Sequence, residues 1–482
     1  MSNRPLEPPS STLRSWFETA LDLSLEHVEG LSSQPSFSTE GAIEEAASLV
    51  EKLPEQAVTA PRELLERLVR EWVPRSFNTA GPGYLAYVPG GGLPTAALAD
   101  LIAGLCNRYL GVFAAAPLLA RLEVQALRWL MDEMDYPGEA RGIFTSGGSL
   151  ATLSAVVCAR TAKLGDRFQN GVLYVTDQAH HCVIKSAQIA GLARAQVHEL
   201  PGDSDGRWDL ERLQRAVTED RRAGQQPFLV IASAGTVNTG AVDDLVAVGD
   251  LARSEGLWLH VDGAYGGCFR MTQRGRERLR GIERADSIVL DPHKGLFLPY
   301  GTGCLMVRDG ELLRRAHSVA ADYLPAMQSC EHAQDSCEYS PELSRDFRGL
   351  RVWLSFKLFG AAAFRETLDE KLDLARHAHQ QIERIEGLCC IGPPDLSLVA
   401  FGVDERRLGD GSGAARIEEA NRLTRRLLEA FNARRRLFVS ATRFRERFVI
   451  RWCILSFRTH RDRIDEGLAI LREETAKVLS GR

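Results

Sequence analysis

Three features that would mark a secreted or membrane protein are missing from this 482-residue sequence. No hydrophobic run approaches the roughly 20 apolar residues that a helix needs to cross a bilayer. The ten cysteines are scattered, with no CxxC pair and one adjacent pair, Cys389 and Cys390, which argues for reduced thiols rather than a disulfide framework. The first residues, Met1–Ser11, are polar and lack the apolar centre of a signal peptide. We therefore expect a cytoplasmic protein without a membrane partner.

The sequence also lacks a strong excess of either charge. It has 59 Lys and Arg against 64 Asp and Glu, which gives a formal net charge of −5. A balance this mild gives no reason to expect nucleic acid or a membrane surface as a partner. The composition, 44% hydrophobic and 26% charged, is that of an ordinary globular protein, and the chain is long enough for two or three domains.

The segment Ala285–Gly303, with the sequence ADSIVLDPHKGLFLPYGTG, is the most informative part of the chain. Its apolar run Ile288–Leu290 is typical of a buried strand in a parallel sheet. Asp291 and Lys294 follow this run. A lysine at the exit of a buried strand is costly to bury unless it is paired, neutralised or used covalently. Taken alone, however, the motif fits an ordinary surface lysine better.

Two upstream segments supply the partners that such a lysine needs. The predicted strand Leu257–Val261 ends at Asp262, and the carboxyl ends of parallel strands are where open α/β sheets bind ligands. Further upstream, GIFTSGGS at Gly142–Ser149 leads into a helical pattern, and a Gly-Gly-Ser turn at a helix start is an anion-binding site. An anion site, an acidic residue and a lysine at successive strand ends together indicate pyridoxal phosphate (PLP), which requires all three.

The rest of the chain suggests how this site is supported. Strand and helix patterns alternate from Arg141 to Arg308, which predicts a mostly parallel sheet covered on both faces. The C-terminal part predicts a smaller α+β domain, with strands at Leu396–Val403 and Phe448–Ser456 in an antiparallel sheet. Near the N-terminus, Thr12–Val28 predicts a helix with one apolar face and no evident local partner.

Five motifs carry a resemblance to a known family. In order they are TSGGS at Thr145–Ser149, DQAHHCVIKSA at Asp177–Ala187, HVDGAYGG at His260–Gly267, DPHKG at Asp291–Gly295 and FRGLRVW at Phe347–Trp353. Their order and spacing resemble the group II PLP-dependent amino-acid decarboxylases, which include aromatic-L-amino-acid, glutamate, histidine and 2,4-diaminobutyrate decarboxylases. The resemblance extends over roughly Gly83 to Thr459.

The resemblance implies an architecture and an assembly. The expected fold is α/β, of the fold-type I PLP-dependent transferase (aspartate aminotransferase-like) class. Residues 1–80 are expected to form an N-terminal helical arm that wraps around a partner subunit, 81–355 the large PLP-binding domain, and 356–482 the small C-terminal α+β domain. The expected partners are PLP, a small-molecule L-amino acid and a second copy of the chain.

The resemblance also assigns roles to residues around the cofactor. Lys294 matches the lysine that forms the Schiff base with PLP, and Asp262 matches the residue that hydrogen-bonds the pyridine nitrogen. A close carboxylate would keep that nitrogen protonated. His180 matches a histidine that stacks on one face of the ring and helps to place the substrate carboxylate, whereas Ala264 matches the small residue on the other face.

The remaining assignments concern the two ends of the cofactor. Gly148 and Ser149 match the phosphate cradle. Thr236 matches a polar residue near the ring hydroxyl or near His180. His293 is expected to contact the phosphate or a carboxylate, with a satisfied core histidine as the alternative.

Two further segments are expected to face the substrate. In the glycine-rich loop Gly81–Gly92 the resemblance places Tyr84, Tyr87 and Pro89 near the substrate side chain, although a surface loop with packing aromatics is an alternative. In the family, a loop corresponding to Glu331–Leu343 closes over the active site and carries a catalytic tyrosine. Tyr339 is the nearest candidate, but its distance from the FRGL motif differs from that in the aromatic-amino-acid enzymes, and a solvent-exposed tyrosine is an equal alternative.

One departure from the family concerns the phosphate end. Asp291 stands where the aromatic-amino-acid enzymes have Asn, and its charge would repel a phosphate unless it turns away or is neutralised. The expected reaction is decarboxylation of an L-amino acid to the amine and CO2 through Lys294. The alternatives are an aldehyde synthase or aminotransferase on the same scaffold, or a non-catalytic protein of this fold. These residues do not identify the amino acid.

Overall fold

A seven-stranded sheet organises the large domain in the computed structural model, which describes residues 6–56, 60–318, 334–409 and 412–481. Its strands are β1 (Arg141–Thr145), β2 (Gly171–Thr176), β3 (Val197–Leu200), β4 (Gln226–Ser233), β5 (Trp258–Asp262), β6 (Ser287–Leu290) and β7 (Gly303–Val307). They lie in the order β1-β7-β6-β5-β4-β2-β3. The five strands β2 to β6 form a parallel block. Strand β7 is antiparallel to both of its neighbours, β1 and β6. The mostly parallel sheet confirms the predicted α/β fold.

Helices cover this sheet and form most of the remaining chain. They are α1 (Ser10–Gly30), α2 (Ala42–Ser48), α3 (Pro61–Glu66), α4 (Pro94–Cys106), α5 (Pro117–Glu133), α6 (Gly148–Leu164), α7 (Cys182–Ile189), α8 (Leu210–Arg222), α9 (Leu245–Ser254), α10 (Gln273–Arg278), α11 (Pro292–Gly295), α12 (Gly310–His317), α13 (Arg348–Ile382), α14 (Gly413–Ala433) and α15 (Arg461–Ser480). A π-helical segment, Arg67–Trp72, continues α3. No helix among the described residues combines the length and apolarity that crossing a bilayer requires.

The sheet strands are apolar throughout because both of their faces are covered. In β4, Val230 and Ala232 belong to the hydrophobic core on one face, whereas Leu229 and Ile231 belong to the core on the other. This alternation follows from the two-residue period of a strand. The central strands are therefore rigid supports for the residues that follow their carboxyl ends.

The small domain is built on a second, antiparallel sheet. Its strands are β8 (Leu388–Cys390), β9 (Leu398–Val403), β10 (Ser440–Phe444) and β11 (Arg447–Cys453), in the order β10-β11-β9-β8. Helix α13 leads into this domain and is kinked at Gly360, whose φ of 73° breaks the regular helix. The boundary predicted at 355/356 falls inside α13, shortly before this kink, and the predicted division into domains stays a prediction.

The N-terminal helix α1 exposes an apolar stripe. Leu13, Trp16, Phe17, Leu21 and Leu25 are each between 37% and 57% exposed. They recur at helical spacing along one face, as the sequence predicted.

The loop predicted at Glu331–Leu343 begins outside the described residues, which resume at Gln334. The described part is packed against the large domain. The Gln334 side-chain amide donates to the Gly142 carbonyl at 3.0 Å, and Asp335 accepts the backbone N–H of Phe113 at 2.5 Å. Gln334, Asp335, Ser336 and Ser340 are all buried, so this part of the loop is packed although its residues are polar.

Candidate active site

A cavity of about 280 Å3 lies where strands β4, β5 and β6 end and helix α6 begins. The parallel register brings these ends together, because Ser233 lies opposite Asp262, and Asp262 opposite Val289. All eight residues predicted to bind the cofactor line this cavity: Gly148, Ser149, His180, Thr236, Asp262, Ala264, His293 and Lys294. The structure thus brings together residues that are far apart in the sequence.

Lys294 lies in the single helical turn α11 that follows β6. Its Nζ is 2.8 Å from Oδ2 of Asp291, and its side chain is 22% exposed. Burial alone would lower the pKa of Lys294, but the carboxylates of Asp291 and Asp262 more than offset this, and the net pKa is raised. The ammonium group is therefore charged and held by Asp291.

Asp291 is buried between Lys294 and the start of α6. Its Oδ2 also lies 3.6 Å from Nε2 of His293, whereas its buried Oδ1 has no hydrogen-bond partner among the described residues. A Cβ placed on Gly148 would lie 3.0 Å from Oδ2, so the carboxylate sits beside the first residue of α6. Of the two expected outcomes for Asp291, the structure supports neutralisation, through the ion pair with Lys294.

The start of α6 is the segment in which the Gly-Gly-Ser turn predicted an anion cradle. No side chain among the described residues caps this 17-residue helix. The first N–H groups of a helix have no intrahelical acceptor, and they lie at the positive end of the helix dipole. Gly303, at the start of β7, leaves room for the turn between β1 and α6, because a Cβ on Gly303 would lie 2.5 Å from Cα of Gly147. Gly148 and Ser149 line the cavity at this helix start, and their role as an anion cradle stays a prediction.

Asp262 ends β5 and faces the same cavity. One of its carboxylate oxygens, Oδ1, accepts the backbone N–H of Ala264 at 3.1 Å, which orients the side chain. Ala264 is nearly buried and lies close to the cradle, since its Cβ is 3.3 Å from the position of a Cβ on Gly148. A larger residue at 264 would narrow the cavity.

Two histidines are held in defined tautomers. His180 Nδ1 accepts the backbone N–H of Cys182 at 3.2 Å, which leaves the proton on Nε2. His293 Nδ1 lies 2.8 Å from the Thr302 carbonyl and donates to it, which leaves Nε2 as an acceptor. Burial lowers the pKa of both residues, although the carboxylates of Asp262 and Asp291 oppose this, so both rings are neutral near pH 7.

The residues predicted to bind substrate do not line this cavity. Tyr84 is buried, with its ring stacked on that of Phe438 at 5.8 Å, and Pro89 is also buried. Tyr87 is 59% exposed, and its backbone N–H donates to Ser440 Oγ at 3.0 Å. Their loop does lie against the lysine turn, because a Cβ on Gly90 would be 2.8 Å from the His293 carbonyl. Their contact with substrate stays a prediction.

Tyr339 also lies outside the cavity of its own chain. It is half-buried against the core formed with α6 and α12. Burial raises the pKa of Tyr339, and the nearest charges that affect it include Arg141 and Arg314. Arg141 begins β1, four residues or about 13 Å from Thr145, where that strand reaches the cavity. The catalytic role of Tyr339 therefore stays a prediction.

Sequence reasoning missed several lining residues. Ser146, Thr152, Cys182, Ser233, Gly235, Val237 and Tyr265 also face the cavity. Cys182 is buried, burial raises the pKa of its thiol to about 12, and its Sγ lies 3.9 Å from Thr152 Oγ1. Ser233 ends β4 and Gly235 follows it, so the strand-end rule that found Asp262 could also have found them.

The residues present fit PLP. The uncapped start of α6 can hold a phosphate, Lys294 offers a buried amine, and Asp262 offers a carboxylate across the same cavity. The orphaned Oδ1 of Asp291 adds a buried acceptor beside the cradle, as expected of a site that takes up a further polar group.

Comparisons with known proteins agree with this site. The model of the pyridoxal-dependent decarboxylase conserved domain matches residues 47–404. The aromatic-L-amino-acid decarboxylase of Bacillus atrophaeus is 34% identical over 455 residues, covering 94% of this chain and 93% of that protein. The phenylacetaldehyde synthase of Arabidopsis thaliana is 27% identical over 503 residues, covering 99% of each protein. The crystal structure of Oryza sativa TDC with PLP and tryptamine superposes with a TM-score of 0.90 at 28% identity, covering 98% of this chain and 99% of that one.

These likenesses extend over nearly the whole chain and confirm the resemblance found in the five sequence motifs. The cofactor expected from the anion cradle, the acidic residue and the lysine is the cofactor of the matched family. The chain belongs to the pyridoxal-dependent decarboxylase family and is a PLP-dependent amino-acid decarboxylase.

Proposed function

We propose that this enzyme removes the α-carboxyl group of an aromatic L-amino acid and releases the amine and CO2. The observation that carries the proposal is the position of Lys294, whose Nζ faces the cavity between the carboxylates of Asp291 and Asp262. The aromatic substrate is supported by the likeness to the Bacillus aromatic-L-amino-acid decarboxylase and by the tryptamine in the Oryza structure.

When bound, PLP supplies an electron-accepting ring that takes up the electron pair left at Cα as CO2 departs. The chain's residues hold and orient that ring. Lys294 would hold it covalently through Nζ, and the first N–H groups of α6, at Gly148 and Ser149, would hold its phosphate. Asp262 would hold a proton on the ring nitrogen, because a nearby carboxylate favours the cationic form.

The neutral histidines complete this arrangement. His180 presents an Nε2–H group, which can donate to a substrate carboxylate without adding a full positive charge. His293 presents an acceptor nitrogen 3.6 Å from Asp291. Thr236 is held in place on the cavity wall, where its Oγ1 accepts the backbone N–H of Ala241 at 3.1 Å.

We propose that the functional unit is a cytoplasmic homodimer. The apolar stripe on α1 is exposed in a single chain, and a second copy of the chain would cover it. All cysteines among the described residues are free thiols, which supports a reducing compartment. In this dimer the segment around Tyr339 would serve the partner's cavity, since it does not reach its own.

An aldehyde-forming reaction is the second candidate. It is favoured by the likeness to the Arabidopsis phenylacetaldehyde synthase and by the position of Tyr339 outside the cavity of its own chain. If the proton donor is absent or displaced, the decarboxylated carbon would not be protonated, and an oxidant such as O2 would be consumed in forming the aldehyde and ammonia.

The first prediction separates these reactions. Holoenzyme incubated with a panel of L-amino acids should release CO2 and amine in equal amounts, fastest with an aromatic substrate. Amine, aldehyde, ammonia and CO2 are measured together, with Lys294→Ala as the inactive control. Release of aldehyde and ammonia in place of amine would replace the proposal by the aldehyde synthase. Fastest turnover of a diamino or acidic substrate would overturn the aromatic assignment.

The second prediction concerns Asp262. Asp262→Asn keeps the shape of the side chain but removes the charge that would hold the ring proton, so kcat should fall on the order of a hundredfold or more. The matched control is Asp250→Asn on α9, which removes an exposed carboxylate that pairs with Arg284 outside the cavity. The measurement is steady-state decarboxylation with cofactor content verified for each variant. A near-normal kcat in Asp262→Asn would mean that Asp262 only forms the turn after β5 and has no part in catalysis.

The third prediction concerns assembly. Sedimentation velocity should show a dimer for the wild-type chain and a shift towards monomer for the double variant Phe17→Asp and Leu21→Asp. The control is Asp22→Asn on the same helix, which leaves the apolar stripe intact. A wild-type monomer at micromolar concentration would exclude the dimer.

A mixing experiment extends this test to Tyr339. Chains carrying Lys294→Ala and chains carrying Tyr339→Phe should each be inactive and should regain activity when mixed, if the two residues act across the interface. Full activity of Tyr339→Phe alone would remove Tyr339 from the catalytic set.

A further inference from the structure

A cluster of three potential metal ligands lies in the small domain, outside the PLP cavity. It consists of His379, Glu383 and Cys390, and one ligand atom from each lies within 4.8 Å of the others. None of the three lines the cavity that contains Lys294. The cluster therefore requires an explanation of its own.

The fold itself brings these side chains to one place. His379 and Glu383 are four residues apart at the end of α13, so they share one helix face. Glu383 is the C-cap residue and keeps helical angles, with φ −59° and ψ −21°. Cys390 lies on β8 on the same face as Leu388, which packs with Ile382 of α13 in the small-domain core.

The polar groups of the cluster lack some of the hydrogen-bond and ion-pair partners that they could have among the described residues. Nδ1 of His379 is buried and has no hydrogen-bond partner among the described residues. Glu383 accepts the backbone N–H of Cys390 at 2.6 Å, but it forms no ion pair with any described side chain. Burial and the Glu383 carboxylate raise the pKa of the Cys390 thiol. A cation at this point would satisfy the imidazole, neutralise the carboxylate and favour the thiolate.

A neighbouring cluster shows the opposite situation. Cys389, Asp404 and Glu405 also lie close enough together to hold an ion. There, however, the carboxylates are already neutralised, because Asp404 pairs with Arg406 at 2.8 Å and Glu405 pairs with Arg447. Cys389 points to the opposite face of β8 from Cys390. It therefore provides a matched control one residue away.

We propose that His379, Glu383 and Cys390 bind Zn²⁺, which fastens the last turn of α13 to the edge strand β8. One imidazole, one carboxylate and one thiolate are ligand types that Zn²⁺ prefers, whereas Mg²⁺ and Ca²⁺ prefer oxygen ligands alone. Three protein ligands leave the fourth tetrahedral position to water. On binding, the metal replaces the thiol proton of Cys390, and that proton passes to the buffer. Because β8 is the edge strand of the small sheet among the described residues, this added link stabilises that edge.

The test is equilibrium dialysis of the PLP-loaded enzyme against Zn²⁺ with metal analysis, for wild type, Cys390→Ser, His379→Ala, Glu383→Gln and Cys389→Ser. Glu383→Gln retains an acceptor for the Cys390 N–H, so it separates metal binding from local folding. We expect one Zn²⁺ per chain in wild type and in Cys389→Ser, and binding weakened roughly tenfold or more in the other three variants. Zinc-edge X-ray absorption should show one sulfur neighbour at about 2.3 Å.

Thermal unfolding provides an independent readout. Zn²⁺ should raise the Tm of wild type and of Cys389→Ser and leave the Tm of Cys390→Ser unchanged. Zn²⁺ binding that is equal in all five proteins, or the absence of sulfur from the metal's coordination shell, would overturn the proposal.

Discussion

The ion pair between Lys294 and Asp291 is the interaction on which the rest of the site depends. Both groups lie at the exit of β6, with Nζ 2.8 Å from Oδ2 and the Asp291 side chain 2% exposed. Removing one partner of a buried pair costs about 3–5 kcal/mol, because the other charge is left unpaired. Any covalent use of Lys294 therefore obliges Asp291 to find a second partner. Nε2 of His293 lies 3.6 Å from the same oxygen, and it would have to take up a proton to serve as that partner.

The second constraint is the contact between two backbone segments. Thr145 at the end of β1 pairs with Gly303 at the start of β7, so the turn after β1 passes directly over that glycine. This contact aims the start of α6 at the cavity and sets it beside Asp291. An anion cradle, an acidic residue and an amine thereby share one small volume, and the chemistry of the site follows from their proximity.

The sequence predicted the central strands β5 and β6 well because they are continuous apolar runs that are followed by polar residues. Lys294 and Asp262 were found for that reason, and their roles around the cofactor came from the family motifs. Strands β3 (VHEL) and β10 (SATRF) were missed because they mix polar and apolar residues, and β8 was missed because it has only three residues. Strand β8 pairs with β9 through long-range hydrogen bonds that no local pattern encodes.

The residues least predictable from sequence are those whose position depends on a loop or on another chain. Tyr84 fits a substrate pocket and an aromatic cluster equally well, and the structure packs its ring on Phe438. Tyr339 has a hydroxyl group suited to proton transfer, but its segment is held near Arg141, where the Gln334 side chain donates to the Gly142 carbonyl. The cluster at His379 depends on the meeting of a helix end with an edge strand, which the four-residue spacing alone does not reveal.

The measurement that tests this account most directly is the location of the cofactor on the chain. Holoenzyme is reduced with borohydride and digested, and mass spectrometry identifies the peptide that carries the added mass of reduced cofactor. The account predicts that the label is on Lys294, in the segment Ala285–Gly303, and that it is absent from Lys294→Ala. A label on any other lysine, or no label on protein that contains PLP, would contradict it.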